Sequence, residues 1–315
     1  MGDIILTTPI FRSLKQSRPE LAIDVVTSPT AAPILDHNPN LRRVWQSRSV
    51  GLSAHELTLV RQLRREQYDV IVDLCHRANP MRLLKMRLLG DRYRVFLRHK
   101  NSESKRGSAE TWNVYDKIVE ADNSEHFAKY QASCLSIFGI ETSDERYEIF
   151  TGMELQCVVP DGTPPSLRVL LNVGGKRRSN SLSFDQTRHV LRTIRQEVPG
   201  AIIFFNAHNV HWFAQKKEEL QREAGGIVVL TRITVSDLVS RVKSADLVVT
   251  TDTGTCHVAT AVGAKQIILS SIRNAETQRF LPSYGWYRHL SGEEAELPDA
   301  EILTRHLRAA LASAC

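Results

Sequence analysis

Short hydrophobic runs alternate with amphipathic stretches along most of the chain. The runs at 68–74, 167–173 and 246–251 are apolar and rich in β-branched residues, a pattern typical of buried parallel strands. Between such runs, apolar positions recur three and four residues apart, as in helices that cover a sheet. This alternation predicts an α/β protein with mostly parallel sheets.

Four elements are predicted in the first half of the chain. Ile4–Leu6 is predicted to be a strand, and Thr8–Arg18 a helix that carries Pro9 in its first turn. Further along, Tyr93–Leu97 is predicted to be a strand and Ala109–Ala121 a long helix.

A change of pattern marks the predicted domain boundary. Residues 151–166 hold three prolines and two glycines and show no hydrophobic periodicity, so they are interpreted as a linker. We therefore predict two domains, residues 1–155 and residues 156–315. A final helix at 298–314 is expected to pack back on the first domain.

Composition narrows the class of protein. With 315 residues, 42% of them hydrophobic and 24% charged, the chain is predicted to be globular. No apolar run reaches the roughly 18 residues of a membrane span, and the first residues lack the features of a secretory signal. The five cysteines are scattered, which argues against a disulfide scaffold or a zinc ribbon. We expect a cytoplasmic protein.

The net charge of +6 is concentrated in one segment. Residues 76–106 carry ten Lys or Arg against two acids, which predicts an anionic partner unless the charges form a solvated helix face. The candidate partners are nucleic acid, an anionic membrane surface and a phosphorylated acceptor. Nucleic acid is disfavoured because only Tyr93 and Phe96 interleave with the charges and no nucleic-acid-binding motif occurs.

The most specific string follows the apolar run at 246–251. Asp252 ends that run, and a helix is predicted to start within a few residues. Free backbone N–H groups at a helix start, together with the hydroxyls of Thr253 and Thr255, are suited to a phosphate. The alternatives are that Asp252 or Thr253 only caps the helix and that His257 is a core residue.

A second string, Leu171 to Ser183, also leads from a buried strand into glycines and a helix start. It contains three consecutive cations, Lys176, Arg177 and Arg178, which can neutralise phosphates, but it is not a Walker A loop. The alternative is a solvated basic turn. Two such turns in one domain favour a site for a nucleoside diphosphate.

Two motifs at opposite ends of the chain resemble one family. The string GDIILTTP at Gly2–Pro9 and the string DTGTCHVATAVG at Asp252–Gly263 are similar to the motifs of glycosyltransferase family nine, the lipopolysaccharide heptosyltransferases and their relatives. The resemblance implies a GT-B fold, in which two Rossmann-like domains face a cleft. The first domain would bind the acceptor and the second a nucleotide-sugar donor.

The resemblance also assigns roles to individual residues. Asp3 would be the general base, and no metal ion or cofactor would be needed. The residues assigned to the donor are Lys176, Arg177, Arg178, Asn180, Asp252, Thr253, Gly254, Thr255 and His257. The resemblance assigns the first domain to the acceptor, and the basic segment of that domain supplies the expected acceptor-binding residues Arg94, Arg98 and Lys100.

The implied function is inverting, metal-independent transfer of heptose from ADP-heptose to an anionic glycolipid such as lipopolysaccharide core, with peripheral contact at the inner face of the inner membrane. Two departures from the family pattern accompany it. Only Met1 precedes Gly2, so either the start codon is assigned too late or the first strand of the acceptor domain is missing. Asn180-Ser181-Leu182 stands where the family has a Lys-Arg-Trp-Pro-like string. The alternatives are an inactive nucleotide-sugar-binding protein and a nucleotide-sugar epimerase of the same fold.

Overall fold

The chain divides into two compact units in a computed structural model. The N-terminal unit comprises Leu6–Glu145, and the C-terminal unit comprises Arg146–Cys315 together with Met1–Ile5. The structure describes residues 1–49, 51–75, 79–90, 92–99, 113–122, 124–141, 144–150, 167–175, 180–208, 210–224, 226–231, 233–270, 278–291 and 300–312. The predicted boundary between residues 155 and 156 and the predicted linker lie outside these ranges.

A six-stranded parallel sheet forms the centre of the C-terminal unit. Its strands are β6 (Arg168–Asn172), β7 (Ile202–Asn206), β8 (Ile227–Leu230), β9 (Leu247–Thr251), β10 (Gln266–Ser270) and β11 (Tyr287–Ser291). They pair in the order β11-β10-β9-β6-β7-β8. This is the doubly wound order of dinucleotide-binding folds, in which the chain reverses its direction across the sheet between two central strands.

Five helices accompany this sheet in the described part of the unit. They are α5 (Phe184–Glu197), α6 (Phe213–Ala224), α7 (Val235–Ser244), α8 (Gly254–Ala261) and α9 (Ala300–Ala312). The helix α9, expected to pack on the first domain, is held by α5 and β10 of its own unit. The reason is its apolar face, since Leu303, Leu307 and Ala310 are buried in the core of that unit.

The N-terminal unit contains two smaller parallel sheets. One pairs β1 (Asp24–Thr27) with β2 (Arg43–Gln46), and the other has the order β3-β4-β5, with strands at Val70–Asp73, Tyr93–His99 and Lys117–Ala121. The α-helices are α1 (Gly2–Ser17), which begins in the other unit, α2 (Ala54–Arg65), α3 (Pro80–Leu88) and α4 (Phe127–Ala132). Short 3₁₀ helices cover Ala32–Ile34 and Ser133–Phe138.

The strand predicted at Ile4–Leu6 is wrong, because these residues lie in α1. A run of three apolar residues is too short to distinguish the period of a strand from that of a helix. The helical period becomes clear only further on, where Leu6, Ile10 and Leu14 follow one another at intervals of four and are all buried.

The helix predicted at Ala109–Ala121 is also wrong in its described part. Lys117–Ala121 is the strand β5, which pairs in parallel with β4. Its β-branched residues Ile118 and Val119 favour a strand, and Asn113 has a positive φ of 45°, which an α-helix cannot contain. The strand β11 is not evident from the sequence, which mixes aromatic, basic and polar residues there.

None of the helices in the described ranges combines the length and the apolar character needed to cross a membrane.

A buried carboxylate joins three segments of the N-terminal unit. Glu56, whose side chain is 1% exposed, accepts hydrogen bonds from Ser47 Oγ at 2.8 Å, from the Arg48 backbone N–H at 2.7 Å and from Lys85 Nζ at 2.6 Å. Burial alone would raise the pKa of Glu56, but these hydrogen bonds outweigh it and lower the pKa to about 2.

Replacing Glu56 with glutamine is expected to lower the free energy of unfolding by about 2–4 kcal/mol at pH 7, because Lys85 loses its buried partner. The lowered pKa means that the stabilisation by Glu56 is complete above the ordinary carboxyl pKa of 4.5 and is lost as the pH falls towards 2. Chemical denaturation at pH 7 and pH 3 checks this, since the gap between wild type and variant should narrow at low pH. Glu125→Gln, which breaks an exposed pair with Lys129, should change stability by less than about 0.5 kcal/mol. A Glu56→Gln effect as small as that of the control would contradict the assignment.

Candidate functional site

The candidate site lies where the sheet of the C-terminal unit changes its winding direction. Strands β6 and β9 are neighbours there, and their carboxyl ends, Asn172 and Thr251, lead into the two strings singled out in the sequence. Open α/β sheets bind ligands in the crevice outside the carboxyl ends of strands at such a point. The two strings therefore converge on one edge of the sheet.

The loop after β9 leads almost directly into α8. Thr253 is the N-cap residue of this helix, yet its side chain makes no capping hydrogen bond. Asp252, the preceding residue, is half-buried, and burial raises the pKa of its carboxyl group. The side chain of Thr253 therefore does not cap α8. The start of α8 carries the positive end of the helix dipole.

The loop after β6 packs closely against the loop after β9. The Gly175 N–H donates to Ser181 Oγ at 2.9 Å, and Asn180 Nδ2 donates to the backbone carbonyl of Asp252 at 3.2 Å. A methyl group on Gly175 would lie 2.8 Å from the Asn180 carbonyl oxygen, so glycine is required for this close approach. Three predicted cations of this loop, Lys176, Arg177 and Arg178, lie outside the described residues.

The start of the chain packs on the start of α8. A methyl group on Gly2 would lie 2.8 Å from His257 Cδ2, and one on Gly254 would lie 3.3 Å from the Gly2 backbone nitrogen. Both glycines therefore permit the contact between the two helix starts. Asp3 is exposed in the first turn of α1, directly after Gly2. The structure thus brings together the two motifs that lie at opposite ends of the sequence.

A known protein family matches the part of the chain that contains Asp252 and α8. The family model described as glycosyltransferase family 9 (heptosyltransferase) matches residues 190–305, which contain Asp252, α8 and the sheet edge around them. Residues 190–305 are thus similar to glycosyltransferase family 9. The resemblance to this family is confirmed, and the matched range contains the motif at Asp252–Gly263 but not the one at Gly2–Pro9. The family is one of glycosyltransferases, as the sequence predicts.

Curated relatives match a shorter stretch of the chain. The chain is 33% identical over 99 residues to a lipopolysaccharide heptosyltransferase 3 of Escherichia coli and 32% identical over 78 residues to that of Escherichia coli strain K12. These stretches cover 30% and 23% of this chain, and 28% and 23% of the relatives. The chain therefore matches less than a third of the length of either relative.

Solved structures of family 9 proteins match nearly the whole chain in fold. The glycosyl transferase family 9 protein of Veillonella parvula superposes with a TM-score of 0.76 at 15% identity, over 99% of this chain and 94% of that one. Escherichia coli heptosyltransferase WaaC with ADP-2-deoxy-2-fluoro heptose gives 0.73 at 14% identity, over 98% and 96%. The predicted fold class, α/β of the GT-B type with two Rossmann-like domains, is confirmed.

An aromatic residue that the sequence analysis missed lies behind the family 9 motif. The ring of Tyr147 meets that of His257 edge-on at 6.1 Å, and the Tyr284 hydroxyl oxygen accepts a hydrogen bond from the Tyr147 backbone N–H at 2.6 Å. Tyr147 is buried, and burial holds its pKa well above the usual value. His257 is itself buried, and its ring lies between Gly2 and Tyr147.

The predicted acceptor residues of the N-terminal unit have local partners. The Arg94 guanidinium donates to the backbone carbonyls of Gly90 and Val114, and Arg98 forms an ion pair with Glu120, its register partner on β5. Lys100 lies outside the described residues. Neither described arginine lies in the C-terminal unit, where Asp3 and Asp252 are found.

Acidic residues from elsewhere in the sequence pair with the basic segment 76–106. Arg82 lies 3.5 Å from Asp73, Lys85 lies 2.6 Å from Glu56, and Arg98 pairs with Glu120. All three acids lie outside the segment, so a charge count over consecutive residues overstates its electrostatic potential. Among the described residues, no group of three or more His, Cys, Asp or Glu side chains is arranged to hold a metal ion.

Proposed function

We propose that this protein is an inverting glycosyltransferase that moves heptose from ADP-heptose to an anionic glycolipid acceptor such as lipopolysaccharide core, without a metal ion. The observation that carries the proposal is the contact between the start of α1 and the start of α8. Because Gly2 lies against the start of α8, we infer that Asp3, the next residue, is near the loop that contains Asp252 and Thr253, although about 250 residues separate them in sequence.

Asp3 is the general base in this proposal. Its carboxylate accepts the proton of an acceptor hydroxyl while that oxygen forms a bond to the anomeric carbon of the donor. The bond from the anomeric carbon to the diphosphate breaks on the opposite side, and ADP leaves. A base must reach the reacting hydroxyl, and the side chain of Asp3 is exposed in the first turn of α1.

Asp252 and the start of α8 bind the donor in this proposal. The half-buried carboxylate of Asp252 gains stabilising hydrogen bonds when hydroxyl groups of the donor sugar replace water. The N–H groups and positive dipole end of α8 face the diphosphate, and Lys176, Arg177, Arg178 and Asn180 are proposed to add charge and hydrogen bonds. Together these groups stabilise the charge of the leaving diphosphate.

The acceptor is proposed to meet Arg94, Arg98 and Lys100 at the cytoplasmic face of the inner membrane. Replacing Arg98 and Lys100 together with glutamate is expected to raise the acceptor KM by about 10-fold and to weaken its salt dependence, while donor affinity stays unchanged. Steady-state kinetics at two salt concentrations measures both effects.

A charge swap provides the control for this double variant. Position 98 faces Glu120 on the neighbouring strand, so Arg98→Glu alone breaks an ion pair. Combining Arg98→Glu with Glu120→Arg restores the ion pair with its charges exchanged, which separates an effect on stability from an effect on acceptor binding. If the double variant Arg98→Glu, Lys100→Glu has an unchanged acceptor KM, these residues do not bind the acceptor and belong to an ordinary solvated surface.

A screen of nucleotide sugars by thermal shift tests the proposed function. A ligand at 100 times its Kd stabilises the folded protein by about 2.7 kcal/mol, which raises Tm measurably. ADP-heptose and ADP are expected to raise Tm, whereas UDP- and GDP-sugars are not. Binding of ADP-heptose without any transfer would indicate the inactive nucleotide-sugar-binding protein considered above. No shift with any nucleotide would contradict the proposal.

A further inference from the structure

A line of hydrogen bonds crosses the carboxyl ends of three neighbouring strands in the C-terminal unit. It runs from the loop after β7 through Asn206 and Asn172, the last residues of β7 and β6, to Thr253 after β9. Asn206 and Asn172 are buried, with exposures of 4% and 3%. Neither residue was singled out as functional in the sequence.

The direction of each hydrogen bond in this line follows from one backbone group. The His208 N–H can only donate, and it lies 3.1 Å from Asn206 Oδ1, so the other side of the Asn206 amide is the donor. Asn206 Nδ2 donates to Asn172 Oδ1 at 2.8 Å. Asn172 must therefore present its Nδ2 group to the next residues in the line.

Asn172 Nδ2 lies 3.1 Å from two threonine hydroxyl oxygens, Thr250 Oγ1 and Thr253 Oγ1, to which it donates. A third acceptor, the Gly174 carbonyl oxygen, is farther away at 3.4 Å. The Thr250 hydroxyl donates its own proton to the Thr251 carbonyl at 3.0 Å. Thr253 Oγ1 is thus an acceptor towards Asn172. Its contact with Thr250 Oγ1 is longer, at 3.5 Å, which is the limit for a hydrogen bond. Although Thr253 stands at the N-cap position, its side chain makes no capping hydrogen bond to α8.

We propose that Asn206 and Asn172 are positioning residues that make the Thr253 hydroxyl a hydrogen-bond donor to a diphosphate oxygen of the donor substrate. A hydroxyl that accepts from Asn172 has its proton available on its other side, and diphosphate oxygens only accept. The same arrangement leaves the first N–H groups of α8 without a side-chain cap, so that they too can donate to the ligand. The inference rests on the proposed function, since it presupposes a nucleoside diphosphate at this edge of the sheet.

Calorimetric titration with ADP tests this inference. Thr253→Val removes the hydroxyl and is expected to weaken ADP binding about 10-fold to 100-fold, the range for a hydrogen bond to a charged group, whereas Thr253→Ser should retain it. Asn172→Asp keeps the shape and the bond from Asn206, but its oxygens cannot donate. The Thr253 proton then turns towards the new carboxylate, and ADP binding is expected to weaken about 10-fold.

Combining Asn172→Asp with Thr253→Val separates this effect from simple charge repulsion. Repulsion between the new carboxylate and ADP persists without the Thr253 hydroxyl, whereas the turning of its proton does not. We expect Asn172→Asp to weaken ADP binding less than about threefold when Thr253 is already replaced by valine. Equal losses in both backgrounds would overturn the inference, as would wild-type affinity in Thr253→Val.

Two further variants keep the test decisive. The side chain in Asn206→Asp still accepts from the His208 N–H but cannot donate to Asn172. This variant should therefore weaken ADP binding about as much as Asn172→Asp does, and it can be measured if the Asn172→Asp protein proves unstable. Thr193→Val removes another buried hydroxyl of the same unit, bonded to the His189 carbonyl, and should leave ADP affinity unchanged. If the wild-type protein binds neither ADP nor UDP, both the inference and the proposed function are overturned. If it binds UDP alone, only the proposed donor is contradicted, and the same variants are then titrated with UDP.

Discussion

Replacing Asp3 with asparagine is expected to lower kcat by about 1,000-fold while donor affinity stays at the wild-type value. Asparagine preserves the shape of the side chain but cannot take up the proton of the acceptor hydroxyl, and a positioned general base contributes about 100-fold to 10,000-fold to the rate. Because Asp3 is exposed, the variant should unfold at nearly the same temperature as the wild type. Steady-state transfer kinetics and a donor titration on the same preparation measure the two quantities.

A matched control accompanies this variant. Asp36 is also an exposed aspartate, but it lies in the N-terminal unit after the short helix at Ala32–Ile34. Asp36→Asn removes the same charge without touching the start of α1, and its kcat should stay within a factor of about 2 of the wild type. If Asp3→Asn behaves like Asp36→Asn, Asp3 is not the base.

Replacing Asp252 with asparagine is expected to weaken donor binding about 10-fold to 100-fold and to leave the protein at least as stable as the wild type. Burial raises the pKa of Asp252 above its ordinary value of 3.8. Between the ordinary pKa of the unfolded state and the raised pKa of the folded state, the folded state binds more protons than the unfolded state. The stability contributed by the protonated group therefore falls as the pH rises through this range. Asparagine cannot ionise, and the variant should lack this fall.

Thermal denaturation from pH 4 to pH 7, together with donor titration, measures both effects. Asp246→Asn is the matched control, because Asp246 lies at the amino end of β9 and accepts a hydrogen bond from the Arg168 N–H at 2.7 Å. It should reduce stability without changing donor affinity. If Asp252→Asn loses stability at pH 7 and keeps its donor affinity, Asp252 is a structural cap and not a ligand of the donor.

The parts of the fold that the sequence predicts well are those in which a local pattern decides the structure. The strands β6 and β9 are apolar runs that are followed by glycine-containing loops, and their boundaries agree with the prediction within two residues. Ile4–Leu6 and Lys117–Ala121 are different, because three or five residues carry too little periodicity. The structure of Ile4–Leu6 is decided by its continuation into the buried part of α1. The structure of Lys117–Ala121 is decided by its pairing with β4.

The residues of the site divide in a similar way. The resemblance to the family pointed to Asp3 and Asp252, since each stands in a recognisable string. Asn172 and Asn206 were missed because their meaning depends on register: Asn172 is opposite Asn206 on one side and Thr250 on the other. A single sequence does not show which side chains a sheet places side by side.

Electrostatics shows the same dependence on tertiary structure. The basic segment 76–106 was interpreted from consecutive residues, but Glu56, Asp73 and Glu120 reach it from other elements. The arginines and lysines that they pair with serve partly to hold the N-terminal unit together. The charge available to an acceptor is therefore smaller than the sequence predicts, and the charge-swap experiment at Arg98 and Glu120 separates the two roles.

The most direct test of the account is a transfer assay followed by mass spectrometry. The purified protein is incubated with ADP-heptose and a heptose-deficient lipopolysaccharide core, with and without a chelator, beside the Asp3→Asn variant. We expect the acceptor to gain one heptose for each ADP released, with inverted anomeric configuration and equal yield in the presence of the chelator, and no product from Asp3→Asn. An unmodified acceptor with wild-type protein, or transfer that stops when the chelator is added, would contradict the account.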